Sequence, residues 1–399
     1  MSQPLHPALH AAICTFAATE WGSKNVANDA QGALTVLTET WDIDNTLHQR
    51  SYKWSEVFAV LASTRNSWWL LPLTNKLCTL SGSQIYRPYA RRARILKKLL
   101  LGFIRIAPLV WARQRVIIVS ARPILLQQLV TEVTGEREPV FSLLLGTPGV
   151  HRKLTAQVMR PSGEILGYVK LPLTEAAIGR VANEAAILRK LAAFPELRPH
   201  IPRVMYSGEW QGGQILLQSA GPPSTGPIRF GLPHQRFLDA LRSVEHRDIA
   251  GSMLVSAMRA RWRAIEAALD LKLRTLGTRA LDIAERDLAH CILACGIGHG
   301  DFTPWNTRLT DNGTLFVFDW ESATCDTPRS WDIFHFHGQT ATLLIKKKHG
   351  SLFPSCNSVL EKASLFLYLI DRVCRSYELG SQTTAGISHL KGVLQQELA

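Results

Sequence analysis

Apolar and polar positions change their period along this chain, and the change divides it. Residues 1–56 are polar and weakly patterned, part strand and part loop. Residues 57–72 (VFAVLASTRNSWWLLP) hold two apolar runs around a polar turn, which predicts two strands. Residues 87–104 predict a helix with Pro88 in its first turn and leucines and isoleucines in its second half. A short strand at 115–119 and a short helix at 123–132 follow. Then come strands at 140–145, 154–159 and 165–171, a helix at 175–193, and strands at 203–210 and 213–219. After GPPSTGP the period becomes helical, with helices predicted at 233–246, 251–274, 279–294, 330–346 and 357–378. One segment interrupts them, GIGHGDFTPWNTRLTDNGTLFVFDWE.

Composition narrows the class. A chain of 399 residues allows two or three domains, and 46% hydrophobic with 19% charged residues excludes global disorder and fibrous folds. The net charge of +13 is concentrated: residues 57–131 carry twelve Lys and Arg and no Asp or Glu. The whole chain is therefore not a nucleic-acid coat, and that segment needs its own explanation. Seven cysteines without a CxxC disfavour a disulfide framework or a structural metal, and a cytoplasmic location is expected. The N-terminus lacks a basic start and reaches Glu20 early, so no signal peptide is expected. The apolar run Leu99–Trp111 is broken by Arg105 and Pro108 and is too short and charged to span a bilayer.

The interrupting segment carries the chemistry. Asp301 and Asn306 stand five apart in a loop containing Pro304, and Asp319 ends the apolar run Leu315–Phe318. A carboxylate at the end of a buried strand is costly unless it meets a cation or donors. Two carboxylates and an amide oxygen form a hard-oxygen set suited to Mg²⁺, which shares its coordination with phosphates. Upstream, Lys170 shares a strand face with Leu166 and Tyr168, and Glu184 falls within the apolar stripe of the next helix. Pairing is the least costly arrangement for both, with a phosphate taking further ammonium donors. Glu175 is a rival partner, though it sits at the helix start, where a carboxylate suits the dipole.

These residues, in this order and spacing, resemble the aminoglycoside phosphotransferase and choline kinase group of protein-kinase-like enzymes over roughly residues 138–340. The resemblance implies an α+β, two-lobed protein-kinase-like fold: a small β-rich N-lobe with one helix at 136–222 and a mostly helical C-lobe at 223–399, with ATP between the lobes. An extra basic N-terminal region, 1–135, precedes them. It implies that Lys170 holds the α- and β-phosphates and Glu184 orients it. Asp301 would accept the proton of a small-molecule or sugar hydroxyl. His299, the other catalytic-loop candidate, would brace the loop more than act on the proton. Asn306 and Asp319 would hold Mg²⁺, Gln218, Ser219 and Ala220 would present backbone to adenine, and Asp332 would support the catalytic loop.

The phosphate-covering loop departs from the family pattern. It reads Gly146-Thr-Pro-Gly149-Val-His-Arg-Lys153, not GxGxxG. Pro148 removes an amide donor, which the charges of Arg152 and Lys153 could offset. The metal strand ends Asp-Trp-Glu, as is usual in the small-molecule branch, and no Ala-Pro-Glu segment follows, which disfavours a protein kinase. The run from Gly146 to Leu171 and the HGDFTPWN loop also resemble phosphotransferase-like proteins associated with bacterial surface-polysaccharide production. A catalytically silent scaffold, docking through the basic segment, is the alternative. For that segment itself, a helix on an anionic membrane with Trp68, Trp69 and Trp111 as anchors competes with three readings: a helix half packed on the kinase-like part, an acidic-substrate docking face, and the disfavoured nucleic-acid contact.

Overall fold

The alternating runs up to Ser219 join one antiparallel sheet. The structure, a computed structural model, describes residues 6–17, 34–39, 54–62, 67–106, 115–120, 124–345, 353–354, 356, 358–378 and 384–398. Two compact units emerge: Met1–Lys190 with Pro202–Pro223, and Leu191–Ile201 with Ser224–Ala399. The class is α+β, as expected, with an antiparallel sheet in the first unit and mostly helices in the second.

In the first unit the strands are β1 (Leu34–Glu39), β2 (Trp54–Ala62), β3 (Trp68–Pro72), β4 (Arg115–Ser120), β5 (Val140–Leu145), β6 (Lys153–Met159), β7 (Ile165–Pro172), β8 (Val204–Trp210) and β9 (Gly213–Ser219). Their order is β1-β4-β2-β3-β5-β6-β7-β9-β8. The hairpin of β2 and β3 pairs Ala62 with Trp68 and Phe58 with Pro72, while residues 63–66 of its turn lie outside the described set. Because β3 also pairs with β5, Trp68 opposite Leu145, the sheet runs through the boundary expected near residue 135.

The helices of this unit are α1 (Pro7–Phe16), α2 (Lys76–Gly82), α3 (Arg91–Ile106), α4 (Leu125–Thr134) and α5 (Glu175–Ala192). The helix α1 corrects the expectation of strand and loop. Leu9, Ala12, Ile13 and Phe16 recur at helical spacing and are buried with Phe58, Phe141, Leu143, Val169 and Leu217. Trp68 and Trp69 are likewise buried, 7% and 8% exposed, because all five residues of β3 are covered. They therefore do not serve as interfacial anchors, and Trp111 lies outside the described residues.

The second unit holds α6 (Leu232–Val244), α7 (Gly251–Ile265), α8 (Leu271–Leu288), α9 (Trp331–Gln339), α10 (Val359–Glu378) and α11 (Thr384–Glu397). The helix expected over 251–274 is broken, because the Asp270 carboxylate accepts the Leu273 amide at 3.0 Å and starts α8 anew. Gly277 then lets the two helices meet: a Cβ there would lie 2.1 Å from the Trp262 ring. The helix expected over 279–294 stops at Leu288, and Ile292–Gly298 is instead strand β11. It pairs with β10 (Arg247–Ala250) on one side and β14 (Thr324–Pro328) on the other. A two-stranded ladder, β12 (Thr307–Leu309) with β13 (Leu315–Val317), follows the catalytic-type loop.

Glu56, on β2, carries a buried Oε2 with no hydrogen-bond partner among the described residues, and burial raises its pKa from 4.5 to about 7. The native state thus holds this proton more tightly than the unfolded chain, so stability falls as pH rises from 4.5 to 7. Replacing Glu56 with Gln should be near neutral below pH 4.5 and stabilise above pH 7 by up to about 3 kcal/mol. Thermal melts of both proteins across this range check it, and a pH-independent offset would refute it.

Candidate active site

The loop after β11 is fixed from below by one carboxylate. Asp332, in the first turn of α9 and 5% exposed, accepts the His299 amide at 2.8 Å on Oδ2 and the Gly300 amide at 3.0 Å on Oδ1. Gly300 has φ 74° and sits so close to Ser322 that a Cβ would lie 2.3 Å from its carbonyl oxygen, so only glycine fits. Phe302 is fully buried, stacking on Phe237 with ring centres 6.1 Å apart. Pro304 opens a short 3-10 turn that ends at Asn306.

His299 is fully buried and bonded at both ring nitrogens. Its Nε2–H donates to the Phe318 carbonyl at 3.0 Å, which leaves Nδ1 to accept the Asp301 amide at 3.2 Å. It therefore ties the loop to the end of β13 and has no ring nitrogen left for a substrate proton.

Asp301 is held at both carboxylate oxygens. Oδ2 accepts from Asn306 Nδ2 at 2.8 Å, and the same amide nitrogen reaches the Asp301 carbonyl at 2.9 Å. Oδ1 accepts from His335 Nε2 at 2.9 Å. The Nδ1 of His335 is left to accept the Tyr368 hydroxyl at 3.0 Å. Burial, with Arg372 adding to it, lowers the pKa of His335, so the imidazole is neutral at pH 7 despite its carboxylate partner. Burial likewise pushes the Tyr368 phenol above its ordinary value. Tyr368 and the neutral His335 thus brace the Asp301 carboxylate, and they leave its side chain 38% exposed.

Asp319 ends the buried β13 run in the left-handed region, φ 68° and ψ 56°, a conformation that aspartate tolerates better than most residues. Trp320, fully buried, donates its indole N–H to the Val317 carbonyl at 3.0 Å and fixes this turn. Carboxylate oxygens of Asp319 and Glu321 approach within 4.8 Å of each other. Asn306 has committed its amide nitrogen to Asp301, which leaves Oδ1 as its ligand atom. Amide and carboxylate oxygens of this kind are the donor set that a small hard cation takes.

In the first unit the structure brings Lys170 and Glu184 together. The ammonium lies 2.6 Å from Oε1 and 2.5 Å from Oε2, with the residues 4% and 0% exposed. Glu175 is exposed in the first turn of α5 and plays no part in the pair. Gly146 and Gly149 lie in the turn between β5 and β6, and a Cβ at either would meet nothing within 4 Å. Arg152 is part of that turn's own architecture: its Nε donates to the Gly146 carbonyl at 3.1 Å, and its guanidinium lies 5.3 Å from the Trp68 ring centre. Gln218 and Ser219 end β9, opposite Tyr168 and Gly167, and Ala220 follows directly.

Sequence reasoning did not single out Glu321, His335 or Tyr368. Position held the signal for His335, which is three residues after Asp332 and so on the same side of α9. Tyr368 comes from α10, and no local pattern links it to the loop.

No family model matches the chain, and no curated protein matches it. Solved structures do. The chain is similar to aminoglycoside phosphotransferases. A thermostable mutant of aminoglycoside phosphotransferase APH(4)-Ia in its apo form has a TM-score of 0.48 and 15% identity, over 68% of this chain and 97% of that one. The GDP and kanamycin complex of APH(2'')-IIIa has a TM-score of 0.45 and 14% identity, over 69% and 98%. The GDP complex of wild-type aminoglycoside 2'-phosphotransferase-IIIa has a TM-score of 0.44 and 13% identity, over 68% and 97%. The chemistry of this site rests on its own residues.

Truncating Asp332 to alanine would leave two loop amides without an acceptor, at about 1–3 kcal/mol each when buried. Urea denaturation of Asp332→Ala should show a loss of about 2–6 kcal/mol, with Asp332→Asn intermediate. A loss within about 0.5 kcal/mol, the range of ordinary surface changes, would contradict the bracing role.

Proposed function

We propose that this protein is an ATP- and Mg²⁺-dependent phosphotransferase that moves the γ-phosphoryl group onto a hydroxyl of a small molecule or sugar. The observation that carries this is the clamped, partly exposed carboxylate of Asp301. It has one oxygen on His335 and the other on Asn306, in a loop whose amides are locked by Asp332.

Such a transfer asks little covalent chemistry of the protein, and positioning and charge do most of the work. Asp301 accepts the proton of the acceptor hydroxyl and aligns its oxygen for attack. The neutral His335 keeps a donor on Oδ1 in every step, so the carboxylate cannot rotate away. Asn306, through Oδ1, and Asp319 would hold Mg²⁺, with Glu321 as a further oxygen donor close by. The ion would supply neutralisation of phosphate charge. Lys170, oriented by Glu184, meets phosphate oxygens, and its carboxylate partner offsets the cost of burying its charge. Gly146 and Gly149 cover the phosphates with backbone, and Gln218, Ser219 and Ala220 present backbone groups to the base.

Asp301→Asn keeps the size and the Asn306 side of the clamp but removes the base. It should cut kcat in an ATP-consumption assay with an acceptor panel by at least about 100-fold, while ATP with Mg²⁺ still raises Tm. Unchanged turnover would remove Asp301 from the mechanism. If wild-type protein showed no Tm rise with millimolar ATP and Mg²⁺, and no consumption with any acceptor, a silent scaffold would replace the enzyme.

His335→Gln tests the brace. A lost hydrogen bond to a charged group is worth about 1.5–3 kcal/mol, so kcat should fall about 10- to 100-fold with KM for ATP little changed. Tyr368→Phe should give a smaller fall in the same direction. An effect confined to KM would place His335 in binding instead.

A further inference from the structure

The helix α3 has three faces, and only one of them is packed. Ile104 is fully buried with Trp69 and Leu71, and Leu100 and Leu101 pack beside them. Lys97 adds a polar fastening: its ammonium donates to the Ser83 carbonyl at 2.7 Å and the Tyr86 carbonyl at 2.6 Å. Partial burial and the neighbouring Arg87 lower the pKa of that ammonium to about 8. The helix is therefore anchored on its unit.

The second face is apolar and open. Ile95, Leu96, Leu99, Phe103 and Ile106 are 50%, 67%, 56%, 61% and 85% exposed. At 100° per residue they fall within one arc of about 100°, next to the packed face. Five large apolar side chains on one exposed arc exceed the scattered single residues that ordinary surfaces carry. The third face is cationic. Arg91, Arg94, Lys98 and Arg105 line the far edge of the apolar arc, and Arg92 lies within it, all five exposed. The helix contains no acidic residue, nor does any position from 57 to 131.

We propose that α3 docks this protein on an anionic lipid surface, with the apolar arc inserted at the level of the headgroups and the cationic edge on the lipid phosphates. An apolar face beside a basic one, on a helix of low mean hydropathy, is the pattern that lies in a bilayer interface. Each arginine or lysine near such a surface adds to the attraction, and salt screens that part alone. No helix among the described residues is long and apolar enough to cross a membrane, and the docking proposed for α3 is a peripheral one. A second copy of the chain fits the face less well, because it would bring five more cations against these five without a carboxylate on either helix. A nucleic acid would use the cations but has no place for the leucines, isoleucines and phenylalanine. The inference does not depend on the catalytic reading, since none of these residues belongs to the site.

The test is co-sedimentation of the full chain with vesicles of phosphatidylcholine alone and of two parts phosphatidylcholine to one of phosphatidylglycerol, each at low and high salt. Binding to the anionic vesicles should be at least about tenfold tighter than to the neutral ones and should weaken, without vanishing, at high salt. A Leu96→Ser, Leu99→Ser, Phe103→Ser variant should lose binding at least about tenfold, with Tm and any phosphotransfer to a soluble acceptor unchanged, because these side chains are exposed. An Arg91→Gln, Arg94→Gln, Lys98→Gln variant should keep weak binding and lose the preference for phosphatidylglycerol. Absence of binding to anionic vesicles at low salt would overturn the proposal, as would full binding by the serine variant. A concentration-dependent dimer abolished by the same serines would assign the face to a second copy instead.

Discussion

The site of the second unit depends on the carboxylate of Asp332. It takes two consecutive backbone amides, His299 and Gly300, in a region closed to most water. A buried carboxylate is costly alone and two buried amides are costly alone; together each satisfies the other. The pairing fixes the direction in which the chain leaves β11. Gly300 can then turn with positive φ against Ser322, and His299 can reach the Phe318 carbonyl. The position of Asp301 is the result of these contacts, one residue after the turn. His335 on the same face of α9 then sets the orientation of the carboxylate. One helix turn thus governs both the backbone and the side chain of the proposed base.

The first unit handles its charges differently. Lys170 and Glu184 are covered nearly completely and bond through both carboxylate oxygens. A buried pair of this kind seldom adds stability over an apolar pair of the same size, since desolvation offsets the attraction. Its value is positional: the pair holds the Lys170 nitrogen at a fixed place on β7. That strand is bonded between β6 and β9 and cannot shift register without moving Val169 and Leu171 out of the core. In the proposed reaction, that fixed nitrogen is what would meet the phosphates.

Much of this was legible in the sequence, and the exceptions share a cause. Strands β5 to β9 and helix α5 were visible because their apolar positions keep one period between clear turn signals. Asp301, Asn306 and Asp319 were visible because their spacing is local. The helix α1 was missed because histidine, alanine and threonine blur a stripe that Leu9, Ile13 and Phe16 define only once the core is known. The break at Asp270 was missed because a capping aspartate inside an apolar, charged run looks like any surface residue. His335 and Tyr368 were missed because their partners are 34 and 33 residues away in the chain. The helix that carries His335 offers His337 as an equal candidate by composition. Only packing tells them apart: one is fully enclosed beside Asp301, and the other lies against Phe230 with ring centres 5.4 Å apart.

The same distinction divides the basic segment, which in the sequence is a single block of charge. Arg87 and Lys97 are donors to main-chain carbonyls, so these donors are committed to holding loops and α3 in place. Arg65, Arg113 and Arg122 lie outside the described residues. Arg91, Arg92, Arg94, Lys98 and Arg105 are exposed on α3, which also exposes Ile95, Leu96, Leu99, Phe103 and Ile106. Solubility alone would be served by charge spread over both open faces, with apolar residues turned inward. Here the exposed apolar side chains share one arc of one anchored helix, and the exposed cations other than Arg92 lie along its edge. Such an arrangement suits a surface that is itself segregated, charged at its boundary and apolar beneath, as the proposed lipid contact would be.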